Sequence, residues 1–307
     1  MYLITGAAGK SGGVSRCVVE MLLGKGESVR AMVHREDARA QRLRDRGAEV
    51  VVGDLTDPRN VLDAITGVAR MFFNMSVSLD YLEATAVVCA AARALGNYEV
   101  IVNMSQMTVS QMTLTSTGES HQQWLHWLSE EVMNWSGVPV VHVRPTVFLE
   151  NPMFTTLARR SVHDRGVLPL PFGNGHTSPI PAADVARVVV AVLLNPADRI
   201  GNAYELTGPE VLDIDGVAEQ YARALKRPVT AEDTPYDEWI RRYLRASGLP
   251  EHVQQHIATM ARLHHEDRYN RASDDVEKLT GEPAQTVEQY VSAHPQLFGG
   301  EPAESRD

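Results

Sequence analysis

The chain has 307 residues, of which 44% are hydrophobic and 22% are charged, and its formal net charge is −10 at pH 7. The 39 acidic residues against 29 lysines and arginines argue against a nucleic-acid-binding protein, which needs clustered basic charge opposite the phosphates. Cys17 and Cys89 are too few for a disulfide framework, and the longest apolar runs, at 86–92 and 188–194, are too short to cross a membrane.

The first 150 residues alternate short apolar runs with longer amphipathic segments, which is typical of parallel strands joined by helices. The opening run has no basic segment before it, so we interpret it as a first strand and not as a signal peptide, and we expect a cytoplasmic protein. Strands are predicted at 2–5, 28–34, 49–52, 70–74, 99–104 and 138–143. Helices are predicted at 12–23, 37–46, 58–65, 79–95 and 120–135. The pattern predicts an α/β protein with a Rossmann-like, doubly wound parallel sheet.

The regular alternation weakens after residue 145 into a stretch rich in proline and glycine at 168–185. A helix is predicted at 183–194 and a strand at 203–206, and from residue 215 onward we expect consecutive helices. We therefore predict a main domain at 1–150, a smaller and mostly helical C-terminal lobe at 151–300 that interleaves with it, and a frayed tail at 301–307.

The clearest motif is the glycine-rich segment 5–13, between the first strand and the first helix. Glycine permits a tight turn and lets a pyrophosphate approach the backbone, and the helix N-terminus behind it supplies free N–H groups. The motif predicts a dinucleotide site, with a glycine-rich turn that binds nothing as the alternative. The predicted contacts are Gly6, Ala8, Gly9, Lys10, Ser11 and Gly12.

The end of the second strand indicates which dinucleotide binds. NAD-binding folds commonly place an acid there for the ribose hydroxyl, whereas this chain has Arg35, whose guanidinium suits the 2′-phosphate of NADPH. Glu36 and Asp37 weaken this inference unless they cap the next helix. Along the same edge of the sheet, Asp54 and Leu55 are expected to meet the adenine, and further cofactor contacts are predicted at Asn74, Met75 and Ser76.

Together these residues resemble the atypical NmrA-like branch of the short-chain dehydrogenase/reductase superfamily, which includes NADPH-dependent quinone reductases and redox-sensing regulators. The resemblance covers about the first 220 residues well and the helical tail loosely. It rests on the segments 5–13, 33–35, 53–57, 126–151, 179–193 and 202–210. It implies that the lobe holds the substrate and that Glu130, Pro145 and Thr146 contact the cofactor.

One departure from the superfamily bears on the chemistry. Typical members carry a catalytic Tyr followed four residues later by a Lys, and the matching positions here are His126 and Glu130, similar to the pattern of NmrA-like quinone reductases. Glu130 has the wrong charge to replace Lys, and no tyrosine lies between Tyr98 and Tyr204. Reduction of a ketone needs a proton donor, whereas a quinone delocalises the developing charge, so the departure favours a quinone.

Two weaker donors are predicted near the reacting end. His126 is a candidate because imidazole titrates near neutral pH, with a helix residue of no catalytic role as the alternative. Ser105 is the other, with a simple cap as its alternative. Substrate contacts are predicted at Met107, Phe148, Asn151 and Phe154, Met107 because flexible thioethers make an adaptable apolar wall. Trp124, Trp127 and Trp135 are spaced as a buried helical stripe.

A metal site is considered in the histidine-rich segment 251–267, because His252 and His256 are four residues apart on one helix face. The segment lacks the Glu of a zinc-protease motif, and no third ligand lies in local reach. We therefore predict no metal and a solvated helix.

The sequence thus predicts an NADPH-dependent oxidoreductase that transfers hydride to a quinone or a similar conjugated electrophile. Two alternatives stay open, a regulatory protein that senses NADP(H) without turnover and an NADP-using biosynthetic isomerase or lyase. The expected partner is a small apolar or aromatic molecule and not a nucleic acid or a membrane, and a homodimer is compatible with the sequence.

Overall fold

The computed structural model of the chain describes residues 1–9 and 13–300. The strands are β1 (Tyr2–Thr5), β2 (Val29–Val33), β3 (Glu49–Val52), β4 (Arg70–Phe73), β5 (Val100–Met104), β6 (Val140–Pro145), β7 (Val167–Leu170), β8 (Ala203–Leu206) and β9 (Thr230–Asp233). The helices are α1 (Val14–Gly24), α2 (Ala38–Asp45), α3 (Pro58–Ile65), α4 (Tyr81–Leu95), α5 (His121–Ser136), α6 (Arg159–Arg165), α7 (Ala182–Leu194), α8 (Ile214–Leu225), α9 (Tyr236–Trp239), α10 (Glu251–His265), α11 (Asp275–Thr280) and α12 (Val287–Ala293). None of these helices is long and apolar enough to span a membrane.

Seven strands form one sheet in the order β3-β2-β1-β4-β5-β6-β8, and every neighbouring pair is parallel. The chain moves outward from β1 to β3 and then returns to β4 on the other side of β1, so the winding direction reverses between β1 and β4. Doubly wound sheets bind their ligands at such a reversal, beyond the carboxyl ends of the strands. The predicted fold class is confirmed.

The sheet is covered on both faces, which explains why its strands are almost continuously apolar. One face packs against α1, α2 and α7, and the other against α3, α4 and α5. The lobe has a third apolar cluster of its own, built from segments between Val147 and Phe298. Since α7 and β8 belong to the main sheet and its layers, the chain crosses between sheet and lobe more than once.

The lobe corrects one prediction, because its C-terminal part is not all helical. Residues 230–233 form β9, which pairs in parallel with β7 in a second, two-stranded sheet. β9 is short and has no clear apolar alternation, and its partner lies far earlier in the chain. Its hydrogen bonds therefore come from tertiary pairing that no local pattern indicates.

Helix α5 corrects a second prediction. Trp135 is 74% exposed, while the rings of Trp124 and Trp127 stack on each other 5.1 Å apart, half-buried. The tryptophans therefore do not form a buried stripe. The side chains that α5 does bury are largely polar and include Gln122, Gln123, His126, Ser129 and Glu130. α5 therefore buries polar residues that hydrophobic periodicity would place in solvent.

Candidate cofactor and substrate site

The glycine-rich loop after β1 is a tight backbone turn. Gly6 has a φ of +74°, and a Cβ added there would lie 2.7 Å from the carbonyl oxygen of Asn74. The Gly9 N–H donates to the Gly6 carbonyl at 3.0 Å, and a Cβ on Gly9 would lie 3.1 Å from that same oxygen. Only glycine fits Gly6 without strain. The predicted contacts Lys10, Ser11 and Gly12 lie outside the described residues.

Helix α1 begins directly behind this loop with its N-terminus uncapped. Gly13 is the N-cap residue, with a φ of +65°, no side chain accepts from the first N–H groups among the described residues, and the first turn carries no acid. The free N–H groups and the positive end of the helix dipole suit a bound anion. Loop and helix together fit the pyrophosphate of a dinucleotide.

Asn74 ties the loop to the neighbouring strand at the reversal of the sheet. Its N–H donates to Thr5 Oγ1 at 2.9 Å, its carbonyl accepts from the same hydroxyl at 2.7 Å, and its Nδ2 donates to Ser15 Oγ at 2.9 Å. Met75 is half-buried and Ser76 is exposed. Asn74 thus fixes β1, β4 and α1 relative to one another, and direct contact of Asn74, Met75 or Ser76 with a cofactor stays a prediction.

The two acids after Arg35 are neutralised locally. Glu36 pairs with both terminal nitrogens of Arg44, at 2.5 and 2.8 Å. Asp37 caps α2, where its Oδ1 accepts from the Arg39 N–H at 2.8 Å, and it also pairs with the Arg39 side chain. Of the two acids, Asp37 caps the next helix, which the sequence left open, whereas Glu36 does not. Arg35 itself is exposed just after β2. Because both acids are paired, they repel a 2′-phosphate near Arg35 less strongly.

A basic cavity of about 150 Å³ lies between the glycine-rich loop, α1 and α2. Arg39 Nη1 donates to the carbonyl of Ala8 at 2.7 Å and so fixes one wall against the loop. Sequence analysis missed this cavity, although Arg39, Arg42 and Arg46 have the spacing of one helix face. Its lining is Ala7, Ala8, Gly9, Arg16, Arg39, Arg42, Leu43 and Arg46.

Asp54 lies just after β3, and its carboxylate is held by hydrogen bonds. Its Oδ1 accepts from the N–H and the hydroxyl of Thr56, at 2.9 and 2.8 Å, and these hydrogen bonds hold its pKa below the usual value. Its Oδ2 lies 4.0 Å from His34 Nδ1. Leu55 is half-buried against the α3 and α4 side of the sheet. The adenine contact of Asp54 and Leu55 stays a prediction.

Glu130, on the inner face of α5, is a buried acid that pairs with an arginine of β6. Glu130 is 2% exposed, and its Oε1 and Oε2 accept from Nε and Nη2 of Arg144 at 3.0 and 2.5 Å. Arg144 lies next to the end of β6, immediately before Pro145 and Thr146. The sequence analysis did not single out Arg144. The pair joins β6 to α5 at the carboxyl edge of the sheet.

His126 is buried and neutral. Its ring lies 4.2 Å from the ring of Tyr81, and burial, together with nearby His256, lowers its pKa to about 3. The hydroxyl of Tyr81 donates to the carbonyl of Met104 at 2.8 Å, and burial raises the pKa of that tyrosine far above its usual value. At neutral pH neither group is a ready acid.

Several buried polar atoms around the carboxyl ends of β5 and β6 have no hydrogen-bond partner among the described residues. Buried polar atoms are nearly always paired in native proteins, so such atoms indicate a place for a ligand or water. Ser105 follows β5 and Thr146 follows β6, the edge where the reacting end of a dinucleotide would lie. In the described part of the chain, the buried side-chain atoms without a partner are Tyr98 Oη, Asn103 Oδ1, Ser105 Oγ, Glu119 Oε2, Gln122 Nε2, His126 Nδ1, Thr146 Oγ1 and Ser178 Oγ.

The predicted substrate residues are distributed over two places. Met107 is fully buried in a 3-10 turn, Met107–Gln111, beside α5, and Phe148 is half-buried where it bridges to Ile180. Asn151 Oδ1 accepts from the Met153 N–H at 2.9 Å. Phe154 is fully buried in the lobe, with its ring edge-on to Phe172. Met107 adjoins the site, whereas Phe154 has a packing role, and the substrate contacts stay predictions.

The histidine-rich helix α10 is not merely solvated, which corrects that prediction. His264 is fully buried and stacked between the rings of Phe172 and Tyr269, at 4.1 and 3.9 Å. His256 Nδ1 lies 2.8 Å from Ser120 Oγ, at the start of α5. In the part of the chain that the structure describes, no three potential ligands gather around a metal.

Comparison with known proteins places this chain. It is 28% identical over 301 residues to an NAD(P)H azoreductase of Xenophilus azovorans, covering 97% of this chain and 99% of the relative. An NADPH-dependent quinone oxidoreductase of Escherichia coli, solved with NADPH, has a similar fold, with a TM-score of 0.81, 23% identity and coverage of 95% and 99%. The negative transcriptional regulator NmrA, solved with NADP, has a TM-score of 0.79, 17% identity and coverage of 97% and 95%. A model of the NmrA-like family matches residues 2–291, so this chain belongs to the NmrA-like family.

Proposed function

We propose that this chain is an NADPH-dependent reductase that transfers hydride to a quinone or to a similarly conjugated electrophile. The observation that carries the proposal is the combination of a dinucleotide cradle with a reacting end that lacks a strong acid. The names of two relatives, an NAD(P)H azoreductase and an NADPH-dependent quinone oxidoreductase, support the same class of reaction.

The cofactor end is formed mainly by backbone groups and arginines. Gly6, Gly9 and the uncapped start of α1 hold the pyrophosphate. Arg35 and Arg42, which pair with no acid among the described residues, provide positive charge for the 2′-phosphate and so favour NADPH over NADH. When bound, the reduced nicotinamide supplies the hydride.

The proton donors near the reacting end are weak. His126 is neutral at pH 7, because burial lowers its pKa to about 3, and the Tyr81 hydroxyl already donates to Met104. Ser105 Oγ is a buried hydroxyl that has no partner in the described ranges, 1–9 and 13–300. Such groups stabilise a charge that is spread over a conjugated ring, and the final proton comes from solvent. An isolated ketone would need a better acid.

Glu130 and Arg144 together take the place of the missing lysine. The Arg144 side chain is 21% exposed, while the Glu130 side chain is only 3% exposed. Glu130 is therefore a positioning residue that holds the guanidinium near Pro145 and Thr146. From there, we propose, Arg144 supplies the positive charge for the nicotinamide ribose.

The wall around the reacting end favours a flat apolar substrate. Met104, Met107 and Met112 are all buried close to the end of β5, and thioether side chains adapt to ligands of varied shape. A small aromatic or conjugated molecule fits this lining better than a phosphate or a carboxylate does.

A second candidate function is an NADP(H)-sensing regulator without turnover. The structural likeness to the NADP-bound regulator NmrA and the absence of the Tyr and Lys pair favour it. This role needs the same cofactor cradle, so cofactor binding alone does not separate the two functions.

Steady-state oxidation of NADPH, followed by loss of its absorbance against a panel of quinones and azo dyes, tests the proposal. Binding of NADPH is followed by fluorescence in the same samples. We expect many turnovers per protein molecule with at least one class of electrophile. Binding of NADPH without turnover on any of them would overturn the reductase in favour of the sensor.

A further inference from the structure

The first turn of α5 carries Gln122, a buried glutamine that the proposed function does not use. Gln122 is 5% exposed, and its Oε1 accepts from the backbone N–H of Ser78 at 3.1 Å. Its Nε2 is buried and has no partner among the described residues. The side chain therefore has one satisfied atom and one unused donor.

The orientation of this amide is fixed by its surroundings. The Ser78 N–H can only donate, so the amide atom that faces it must be the oxygen. The remaining atom is therefore the nitrogen. Flipping the amide would set two donors against each other and would still leave an unpaired atom.

His126 lies one helical turn after Gln122 and on the same face of α5. Its Nδ1 is also buried without a partner among the described residues. Residues four apart on a helix have Cβ atoms about 5–6 Å apart. Two unpaired nitrogens thus lie along one helix face, where unpaired buried polar atoms are rare unless a ligand completes them.

The adjacent Gln123 shows that this helix can satisfy a buried glutamine completely. Gln123 is fully buried, its Oε1 accepts from the Ser120 N–H at 2.8 Å, and its Nε2 donates to Thr108 Oγ1 at 2.8 Å. Both of its amide atoms are therefore engaged in holding the fold. Gln122, under the same burial, keeps its donor unengaged.

The turn that contacts α5 through Thr108 carries apolar side chains on the same side of the sheet edge. Met107, Val109 and Met112 are buried, yet none of the three belongs to the three apolar clusters of the fold. Thioethers and a valine in the turn that packs on α5 suit a flat apolar molecule with a few polar atoms on its edge.

His126 bonds the backbone of Met104 through its other ring nitrogen, so Nδ1 of the neutral ring is an acceptor. We propose that Gln122 Nε2 and His126 Nδ1 form a two-point anchor, one donor and one acceptor, that selects conjugated substrates with an acceptor and a donor about one helical turn apart, such as a carbonyl and a hydroxyl on a quinone ring. This inference rests on the proposed function. The quinone takes up a hydride and then a proton from solvent and becomes the hydroquinone, while NADPH becomes NADP⁺. Because negative charge develops on the quinone oxygens, a donor placed there stabilises the transition state.

Access to the anchor requires movement of the elements above α5, because neither nitrogen is open to solvent. Helix α10 is one of these elements, since His256 contacts Ser120 at the start of α5.

The test compares Gln122→Met with the wild type in NADPH oxidation. Methionine keeps the length of the side chain and removes the donor, so we expect the KM for the quinone to rise about tenfold while NADPH affinity is unchanged. Gln123→Met is the matched control, and we expect it to lower the melting temperature without a selective change in KM. An unchanged KM in Gln122→Met would overturn the anchor.

Gln122→Glu supplies an independent readout if Gln122→Met does not fold. The carboxyl still accepts from Ser78, and it donates to the substrate only when it is protonated. Its turnover relative to wild type should therefore rise as the pH falls, and a parallel pH profile would contradict the inference. Absence of turnover in the wild type with NADPH bound would instead overturn the proposed function, and the inference with it.

Discussion

The cofactor end and the substrate end of this site are built by different means. The cofactor end uses backbone geometry and exposed arginines from one continuous stretch, between β1 and α2. The substrate end uses buried polar side chains brought together from α5, β5 and β6. The first depends on the shape of one local segment, whereas the second depends on pairs formed across the fold.

The charged groups differ in the same way. At the cofactor end, Glu36 and Asp37 are neutralised by arginines of the neighbouring helix while remaining open to solvent. At the substrate end, the side chains of Glu130 and Glu119 are 3% and 4% exposed, and each depends on one arginine from another part of the chain. Substitutions at the substrate end should therefore affect stability more strongly.

The largest expected effect is that of Arg144→Met. Removal of the guanidinium leaves the Glu130 carboxylate buried and unpaired, so we expect the free energy of unfolding to fall by about 3–5 kcal/mol. Chemical denaturation measures it. The double variant Glu130→Met/Arg144→Met should recover most of the loss, because two apolar side chains leave no buried charge.

Arg160→Met is the control for that experiment. Arg160 is 94% exposed in its pair with Asp164, so its loss should change stability by less than about 0.5 kcal/mol. If Arg144→Met changed stability as little as Arg160→Met, the buried ion pair would contribute no more to stability than an exposed one.

Gly6→Ala probes the cofactor end. The added Cβ lies 2.7 Å from the Asn74 carbonyl oxygen, in a backbone of positive φ. We therefore expect the free energy of unfolding to fall by about 1–3 kcal/mol and NADPH affinity to fall in a fluorescence titration. Gly24→Ala is the matched control, since nothing lies within 4 Å of a Cβ there. Equal NADPH affinity in Gly6→Ala and Gly24→Ala would show that the turn at Gly6 does not bind the cofactor.

The smallest expected effect is a change of selectivity in Arg35→Glu. Losing the guanidinium and adding a negative charge should weaken NADPH about tenfold more than NADH, with stability unchanged because Arg35 is exposed. Binding titrations with both cofactors measure it, and Arg160→Glu controls for the change in net charge. Equal weakening of NADPH and NADH would remove Arg35 from the 2′-phosphate site.

Most elements of the main sheet follow from local patterns. The predicted helix at 58–65 and strand at 203–206 agree with the structure residue for residue, and Asp37 caps α2. β6 lies two residues later than predicted, at Val140–Pro145. Pro139 has no N–H to give to the ladder, so the strand begins only after it.

The prediction for the inner face of α5 was wrong because hydrophobic periodicity assumes that apolar residues turn inward. Here the partners of the polar residues lie elsewhere, at Thr108, Ser78 and Arg144, and they make burial of the glutamines and of Glu130 favourable. Nothing in the segment 121–136 itself reveals those partners.

The sequence by itself determined the doubly wound sheet and the tight glycine turn after its first strand, because turn geometry and strand alternation act over a few neighbouring residues. Only the tertiary structure decided that Arg144 pairs with Glu130, that Gln122 Nε2 is buried without a partner among the described residues and that β9 pairs with β7. The reason is physical. The partner of a buried polar atom is chosen by the packing of distant segments, and that choice leaves no periodic mark on the chain.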